Sequence, residues 1–323
     1  MEFYRPHRKD LKECIKSARI ISSMTGKSVL YHWIDSIYCM FRYGCCPNQY
    51  LEGAFYKLRS FDRQRTFTKY RCYKLRRLFN DSTFNHICDN KVDFNKYFSK
   101  FIGRKWISCK ECTLEELLSF IEDNNRIIAK PINMTKGKGV FELDRSKPNK
   151  ELALSVIGQE ILLEEFVVQH PLMCFDNKSV NTLRINTIID SHGDVHIIKS
   201  TLRCGIGASI VDNYAAGGVA YPVNSIYGRV EGPGGNSMRG QELFIHPGTD
   251  IFMVGKEIPY WNKVLDLVCD AAKKIPQVRF IGWDVAITQE GPILIEGNTR
   301  PSAELIEYQG TQKALYLTML SYK

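Results

Sequence analysis

Over the first 79 residues, apolar positions recur three or four apart, the spacing of a helix face. Leu11, Ile15 and Ala18 form one stripe, and Ile34, Ile37 and Phe41 form another. Gly44-Cys45-Cys46-Pro47-Asn48 interrupts the second run, and strand-like alternation is scarce before residue 80. Beyond that point short β-branched runs alternate with helical segments. Phe94 to Phe101 reads as helix. Thr113-Leu114-Glu115-Glu116 is a capping box, in which hydroxyl and carboxylate each satisfy a backbone N–H, and it opens a helix through about Asp123. Strands are predicted at Arg126–Lys130, Val140–Leu143, Ile161–Phe166, Thr182–Asp190, Val195–Leu202 and Gly218–Pro222. Ser191-His192-Gly193-Asp194 is a tight turn between two of them. Residues 203–217 and 228–250 are rich in Gly, Asn and Pro, and loops of that length usually cover a site or stay disordered. There is no internal repeat.

The clearest chemistry lies in FIGWDVAITQEGPILIEGNTRPS. Phe280 to Ile287 and Ile293 to Glu296 are apolar strands around a turn-like Thr288-Gln289-Glu290-Gly291-Pro292, a predicted β-hairpin. Folded about Glu290, the hairpin sets Asp284 opposite Glu296, on one face of the sheet, with Asn298 two residues further along that face. Two opposed carboxylates on apolar strands repel and are costly to bury. A divalent cation removes the penalty, and two carboxylates with an amide oxygen are hard ligands of the kind magnesium takes. Asp284, Glu296 and Asn298 are therefore the candidate metal ligands.

With 323 residues, 44% hydrophobic and 24% charged, the chain has the balance of a globular protein large enough for one or two domains. No apolar run approaches the roughly 20 residues that span a bilayer. The opening MEFYRPHRKDLKECIKS is basic but lacks the apolar core of a secretory signal. Eleven scattered cysteines then read as reduced cytosolic thiols; Cys109-x-x-Cys112 has no second pair at zinc spacing, and Cys45 and Cys46 are adjacent. The net charge of +9 is uneven: residues 1–79 hold 17 Lys and Arg against 6 Asp and Glu, or +11, leaving −2 for the rest. Aromatic residues interleave the basic ones in YKLRSFDRQRTFTKYRCYKLRRLF, which suits an amphipathic helix packed on its own core, a lipid interface or nucleic acid. Packing is the favoured reading and nucleic acid the weakest. His170 and His246, each followed by proline, read as capped or packed residues, not catalytic bases.

Asn133-Met134-Thr135-Lys136-Gly137-Lys138-Gly139 lies between two strand-like runs and follows Lys130. Its glycines let backbone N–H groups approach an anion, with Thr135, Lys136 and Lys138 as further donors. It matches neither a P-loop nor a dinucleotide fingerprint, because no helix follows. The order of segments is more informative: lysine-ended strand, glycine hairpin, Leu162-Leu163-Glu164-Glu165-Phe166, basic strands, then the Asp/Glu/Asn hairpin. In IIAKPINMTKGKGV, LLEEFVVQHP, SVNTLRINTI, HIIKSTLRCG and FIGWDVAITQEGPILIEGNTRPS, across roughly residues 88–305, the chain resembles the ATP-grasp superfamily, and within it the sugar-transfer-associated ATP-grasp family of bacterial surface-polysaccharide loci.

That resemblance implies an α+β chain: an ATP-grasp fold of two α+β subdomains enclosing a nucleotide, residues 80–160 with the glycine loop and 161–323 with the magnesium and substrate site. A basic helical region, 1–79, precedes them. It implies ATP as cofactor with two Mg2+ ions, Mn2+ being an alternative. Asp284 and Glu296 would hold one ion, and Glu296 and Asn298 the second. Lys130 would touch the α- and β-phosphates, with Lys91 a looser match beside it, and Lys136, Gly137, Lys138 and Gly139 would form the mobile lid. Glu164 would accept from the adenine amino group, backbone at Glu165 and Phe166 would read the ring edge, and either Gln169 or His170 would contact ribose. Arg184, Lys199 and Arg203 would neutralise the γ-phosphate, and Arg300 would orient the acidic substrate. Residues 1–79 depart from the superfamily, being too short, helical and basic for its usual Rossmann-like first domain, so the acceptor does not carry over.

The implied activity is an ATP-dependent carboxylate–amine ligase acting through an acyl phosphate on a sugar or glycan precursor, with a carboxylate and an amine as partners. A sugar or polyol kinase on the same fold, and a non-catalytic nucleotide- or glycan-binding scaffold, are the alternatives. The expected location is cytoplasmic, with peripheral contact at the inner face of the membrane through the basic helices.

Overall fold

The structure is a computed structural model that describes residues 8–134, 138–175, 179–206, 218–235, 242–306 and 315–323. Helices α1 (Arg8–Thr25), α2 (Val29–Tyr43), α3 (Pro47–Glu52), α4 (Ser60–Arg65) and α5 (Lys69–Phe79) form the N-terminal region. Short helices α6 (His86–Asp89), α7 (Lys91–Tyr97) and α8 (Ser99–Ile102) follow. The helix expected at Phe94–Phe101 therefore begins three residues earlier, where Asn90 Oδ1 accepts from the N–H groups of Val92 (2.9 Å) and Asp93 (3.2 Å), and it is broken at Phe98.

A four-stranded antiparallel sheet comes next, in the order β1-β4-β2-β3, from β1 (Trp106–Ser108), β2 (Ile127–Pro131), β3 (Phe141–Glu142) and β4 (Ile161–Glu165). Helices α9 (Leu114–Asp123) and α10 (Asn149–Val156) cover it with Leu117, Ile121, Leu152 and Val156. The predicted capping box opens α9: Glu116 N–H donates to Thr113 Oγ1 (3.2 Å), and Thr113 N–H to Glu116 Oε2 (2.8 Å).

The second sheet has six strands, in the order β10-β9-β5-β6-β7-β8: β5 (Thr182–Ile189), β6 (Val195–Cys204), β7 (Val219–Asn224), β8 (Arg229–Val230), β9 (Phe280–Ile287) and β10 (Pro292–Asn298). Side chains alternate between its faces. Leu183, Ile185, Leu202, Tyr221, Trp283 and Val285 enter the main core against α11 (Trp261–Lys274) and the residues Phe94, Phe98 and Ile102. The other face is apolar at one end, where Ile188 and Phe280 meet α5, α12 (Ala303–Ile306) and α13 (Leu315–Ser321), and polar in the middle. Helix α11 falls outside the predicted elements, although Trp261, Val264, Val268, Ala271 and Ala272 are all buried at helical spacing.

The N-terminal helices correct the predicted stripes. Cys14, Ser17, Ala18 and Ile21 turn inward from α1, whereas Leu11 and Ile15 are exposed. From α2 the buried residues are His32, Ser36, Cys39, Met40 and Tyr43, and Ile34 and Phe41 face out. A long-range ion pair sets this rotation. Asp35 accepts from Arg63 Nη1 (2.7 Å) and Nη2 (2.8 Å) and from the Tyr50 hydroxyl (2.6 Å), which holds one edge of α2 against α3 and α4. No helix among the described residues is long and apolar enough to cross a membrane.

Candidate functional site

The polar middle of the large sheet is built row by row. Glu296 on β10 pairs with Asp284 on β9, Asp284 with Arg184 on β5, and Arg184 with Thr201 on β6. One pleat along, Asn298, Gly282, Asn186 and Lys199 pair in the same strand order. Arg203 joins this face opposite Thr182. The predicted opposition of Asp284 and Glu296 is present, but by a different route. The turn starts a register, Pro292 to Ile287 and Leu294 to Val285, that continued regularly would set Ile295 against Asp284. A β-bulge at Ile295 shifts it by one residue and brings Glu296 into place.

Asp284 is buried. Arg184 Nε donates to its Oδ1 and Nη2 to Oδ2 (3.0 Å), and Arg203 Nη1 donates to Oδ2 (2.8 Å). Burial opposes ionisation, but the two guanidiniums outweigh it and hold this carboxyl well below the usual range. Glu296 goes the other way: burial, then the Asp284 charge and a hydrogen bond with it, push its carboxyl up. Asn298 Nδ2 donates to Glu296 Oε1 (3.2 Å). No group of three His, Cys, Asp or Glu side chains able to hold a metal occurs among the described residues. The oxygen set here is two carboxylates and an amide.

A second cluster lies on the small sheet. Glu164, buried on β4, accepts from Lys130 Nζ (2.5 Å), Arg104 Nη2 (2.8 Å) and Asn95 Nδ2 (2.9 Å), and the cations Arg104 and Lys130 overcome burial to keep it ionised. Both its oxygens are thus engaged inside the protein. The N–H groups of Glu165 and Phe166 donate to the carbonyls of Lys105 (3.0 Å) and Arg126 (3.0 Å), while Val168 beyond them is exposed. Gln169 is buried and bonds the backbone of Asn181 at both ends of its amide, 2.6 and 2.8 Å. His170 Nδ1 caps the turn at Pro171–Met173 by accepting from Leu172 N–H (3.2 Å). His246 is fully buried against Phe175 and Gly205.

Lys91 stands between the clusters. From the start of α7 its Nζ donates to the carbonyls of Pro131 (2.9 Å), Ile132 (3.3 Å) and Met134 (2.5 Å), gripping the stem of the glycine loop. Burial lowers its pKa, while Glu296 and Glu164 pull it up and Lys130 pushes it down, so it senses carboxylates on both sheets. Thr135, Lys136 and Gly137 lie outside the described residues. Lys138 is exposed, and Gly139 has φ +70°, with room for a Cβ denied by Pro131 Cγ at 2.9 Å. Arg300 is exposed, 3.6 Å from Asp89.

Three residues were missed from sequence. Arg104, buried beside Glu164, also donates from Nη1 to the Leu294 carbonyl (2.6 Å) and from Nη2 to that of Ile295 (3.1 Å). It therefore ties the small sheet to the bulge that places Glu296, and no motif announces it. Asn186 and Thr201 are buried on the polar face, and neither the Asn186 amide nor the Thr201 hydroxyl has a hydrogen-bond partner among the described residues. A Cβ on Gly282 would come within 2.9 Å of Asn186 Oδ1, so the glycine makes space for that amide. A polar residue amid β-branched ones in TLRINTII was the available signal.

Residues 70–315 match the family described as sugar-transfer associated ATP-grasp. No curated protein matches the sequence. Among solved structures the chain is similar to D-alanyl-alanine synthetase A from Vibrio cholerae (12% identity, TM-score 0.44, covering 73% of this chain and 65% of that one). It is also similar to the ATP-grasp ligase PsnB in complex with a minimal precursor, Mg and ADP (12%, 0.45, 76% and 61%), and to an L-amino acid ligase from Bacillus licheniformis (14%, 0.44, 73% and 48%). The chain thus covers less than two thirds of each of these proteins.

Proposed function

The chain belongs to the sugar-transfer associated ATP-grasp family, and from that premise we propose that it is an ATP-dependent carboxylate–amine ligase, acting through an acyl phosphate on a sugar or glycan precursor. The observation that carries this reading is the Asp284–Glu296 pair: adjacent carboxyls, one held ionised by arginines and the other pushed towards protonation, beside Asn298. A proton shared by two carboxyls is what a divalent cation replaces, and the oxygen set suits Mg2+. Asp284 and Glu296 would hold one ion, and Glu296 and Asn298 a second, with Mn2+ as an alternative. When bound, such ions neutralise the triphosphate and polarise its terminal phosphoryl group.

In this proposal ATP lies between the sheets, residues 80–160 forming one wall and 161–323 the other. Lys130, aimed by Glu164, and Lys91, aimed by the loop carbonyls, meet the α- and β-phosphates. Glu164 positions Lys130, and its Oε2, which takes only the Lys130 hydrogen bond, keeps acceptor capacity for the adenine amino group. The carbonyls of Glu165 and Phe166 and the backbone of Val167 and Val168 then meet the ring edge. Gln169 holds the Asn181 loop, which leaves His170 the better ribose contact. Arg184 and Arg203 share their charge between Asp284 and the γ-phosphate, and Lys199 adds a third cation. Asn186 and Thr201 offer the reacting groups hydrogen bonds, and Arg300 orients the acid at the rim.

The substrate carboxylate attacks the γ-phosphorus, the bond to the bridging oxygen breaks, and ADP leaves. The amine nitrogen then adds to the acyl carbon, loses a proton and expels phosphate. Phosphorylation is needed because a carboxylate oxygen is a poor leaving group, and the protein's work is positioning and charge neutralisation. The glycine loop, residues 136–139, excludes water that would hydrolyse the acyl phosphate. The test is product analysis with ATP, magnesium and panels of uronic acids, sugar nucleotides and amino acids. ADP and free phosphate are expected only with acid and amine together, alongside a product of amide mass. A stable phosphorylated product made without an amine would identify a kinase.

A further inference from the structure

The helical hairpin of α1 and α2 carries its apolar surface on the wrong side for a protein core. Leu30, Ile34, Tyr38 and Phe41 lie at helical spacing opposite the buried residues of α2 and are 61%, 55%, 52% and 50% exposed. A helix that is apolar all round is ordinarily covered all round. The side of α1 opposite its buried residues presents Lys12, Lys16 and Arg19, likewise at helical spacing and exposed. Lys16 lies 4.0 Å from Glu13, and the one acid of α2, Asp35, is tied to Arg63. An apolar stripe and a cationic stripe, on the outward sides of one helical hairpin, are the two components of a surface that lies on a membrane interface.

We propose that the α1–α2 face docks on an anionic lipid surface, with Leu30, Ile34, Tyr38 and Phe41 entering the headgroup–acyl boundary and Lys12, Lys16 and Arg19 meeting lipid phosphates. Charge disfavours a second copy of this chain, because pairing the face with itself brings together two helical hairpins of +4 each, residues 8–43 holding seven Lys and Arg against three Asp and Glu. Docking stands independently of the ligase reading, since none of these residues belongs to the sheets that hold the candidate site.

Full-length protein is sedimented with phosphatidylcholine vesicles and with vesicles that also contain phosphatidylglycerol. Binding is expected only to the second kind. Replacing the three basic residues together (Lys12→Gln, Lys16→Gln, Arg19→Gln) should weaken it by about fivefold per residue, roughly a hundredfold in total. Leu30→Glu with Phe41→Glu should abolish it, while both variants keep the wild-type melting temperature because the side chains are exposed. Absence of binding to the anionic vesicles, or binding that survives both variants, overturns the proposal. So does equal binding to neutral vesicles. Sedimentation velocity without lipid covers the remaining case: a dimer that Leu30→Glu with Phe41→Glu dissociates, in a protein that ignores vesicles, assigns the face to a second copy.

Discussion

Asp284 and Glu296 are neighbours across two strands with opposite shifts, because the arginines sit on one side of the pair only. A carboxyl whose pKa is higher folded than unfolded favours folding at low pH and loses that preference as pH rises through its folded value. Metal-free protein is therefore expected to lose stability as pH rises from the acid range through the raised pKa of Glu296. Glu296→Gln, which mimics the protonated form, should remove that loss and melt higher than wild type at neutral pH in EDTA. Melting curves across pH check this; parallel curves for the two proteins would contradict the assignment. Asn186 offers a complementary test. Its amide is buried without a partner among the described residues, a condition that costs about 1–3 kcal/mol. Asn186→Leu, close in shape, should raise unfolding stability by about 1 kcal/mol and lower kcat/KM, since the amide would be kept for ligand at the expense of stability. A stabilised variant with unchanged kcat/KM would remove Asn186 from the site.

The element that matters most is β10 with its bulge. The turn alone would have placed an isoleucine opposite Asp284, and the extra residue at Ile295, held by Arg104 through two carbonyls, puts Glu296 there instead. Arg104→Met leaves buried Glu164 with one cation fewer and the bulge unsupported. Loss of one partner from a buried ion pair costs about 3–5 kcal/mol, which urea unfolding should register, and magnesium-dependent stabilisation should weaken with it. At α9, Thr113→Ala removes a cap seen at the predicted position and should cost about 1 kcal/mol, with no effect on turnover. This cap was legible because it is local: hydroxyl and carboxylate lie three residues apart in sequence and in space. Helix α11 is equally local: Trp261, Val264, Val268, Ala271 and Ala272 carry its helical spacing in the sequence itself.

At the scale of the whole molecule, Lys91 and Arg104 are two of the residues that link the sheets: one grips the loop stem of the small sheet within the field of Glu296, the other joins Glu164 to β10. A ligand that bridges the sheets should stabilise them together. Magnesium with ATP at about a hundred times Kd should add roughly 2.7 kcal/mol, read as a rise in melting temperature. Glu296→Gln should lose most of that rise while remaining folded. A full shift in the variant would detach the carboxyl pair from nucleotide binding.

Strands β2 to β7, the β9–β10 hairpin, the α9 cap and the types of side chain available for phosphate and cation chemistry were written in the linear pattern, since each depends on residues close together in the chain; β1 and β8, three and two residues long, were not. Tertiary structure decided the rest: which face of α2 turns inward, the bulge through which Glu296 comes to oppose Asp284, and what Glu164 and Gln169 bond to. Those outcomes are set by Asp35 with Arg63, Arg104 with the bulge, and Gln169 with Asn181. Periodicity reports that a helix or strand has two unlike faces. Rotation and register are chosen by ion pairs and hydrogen bonds between residues that meet only once the chain has folded.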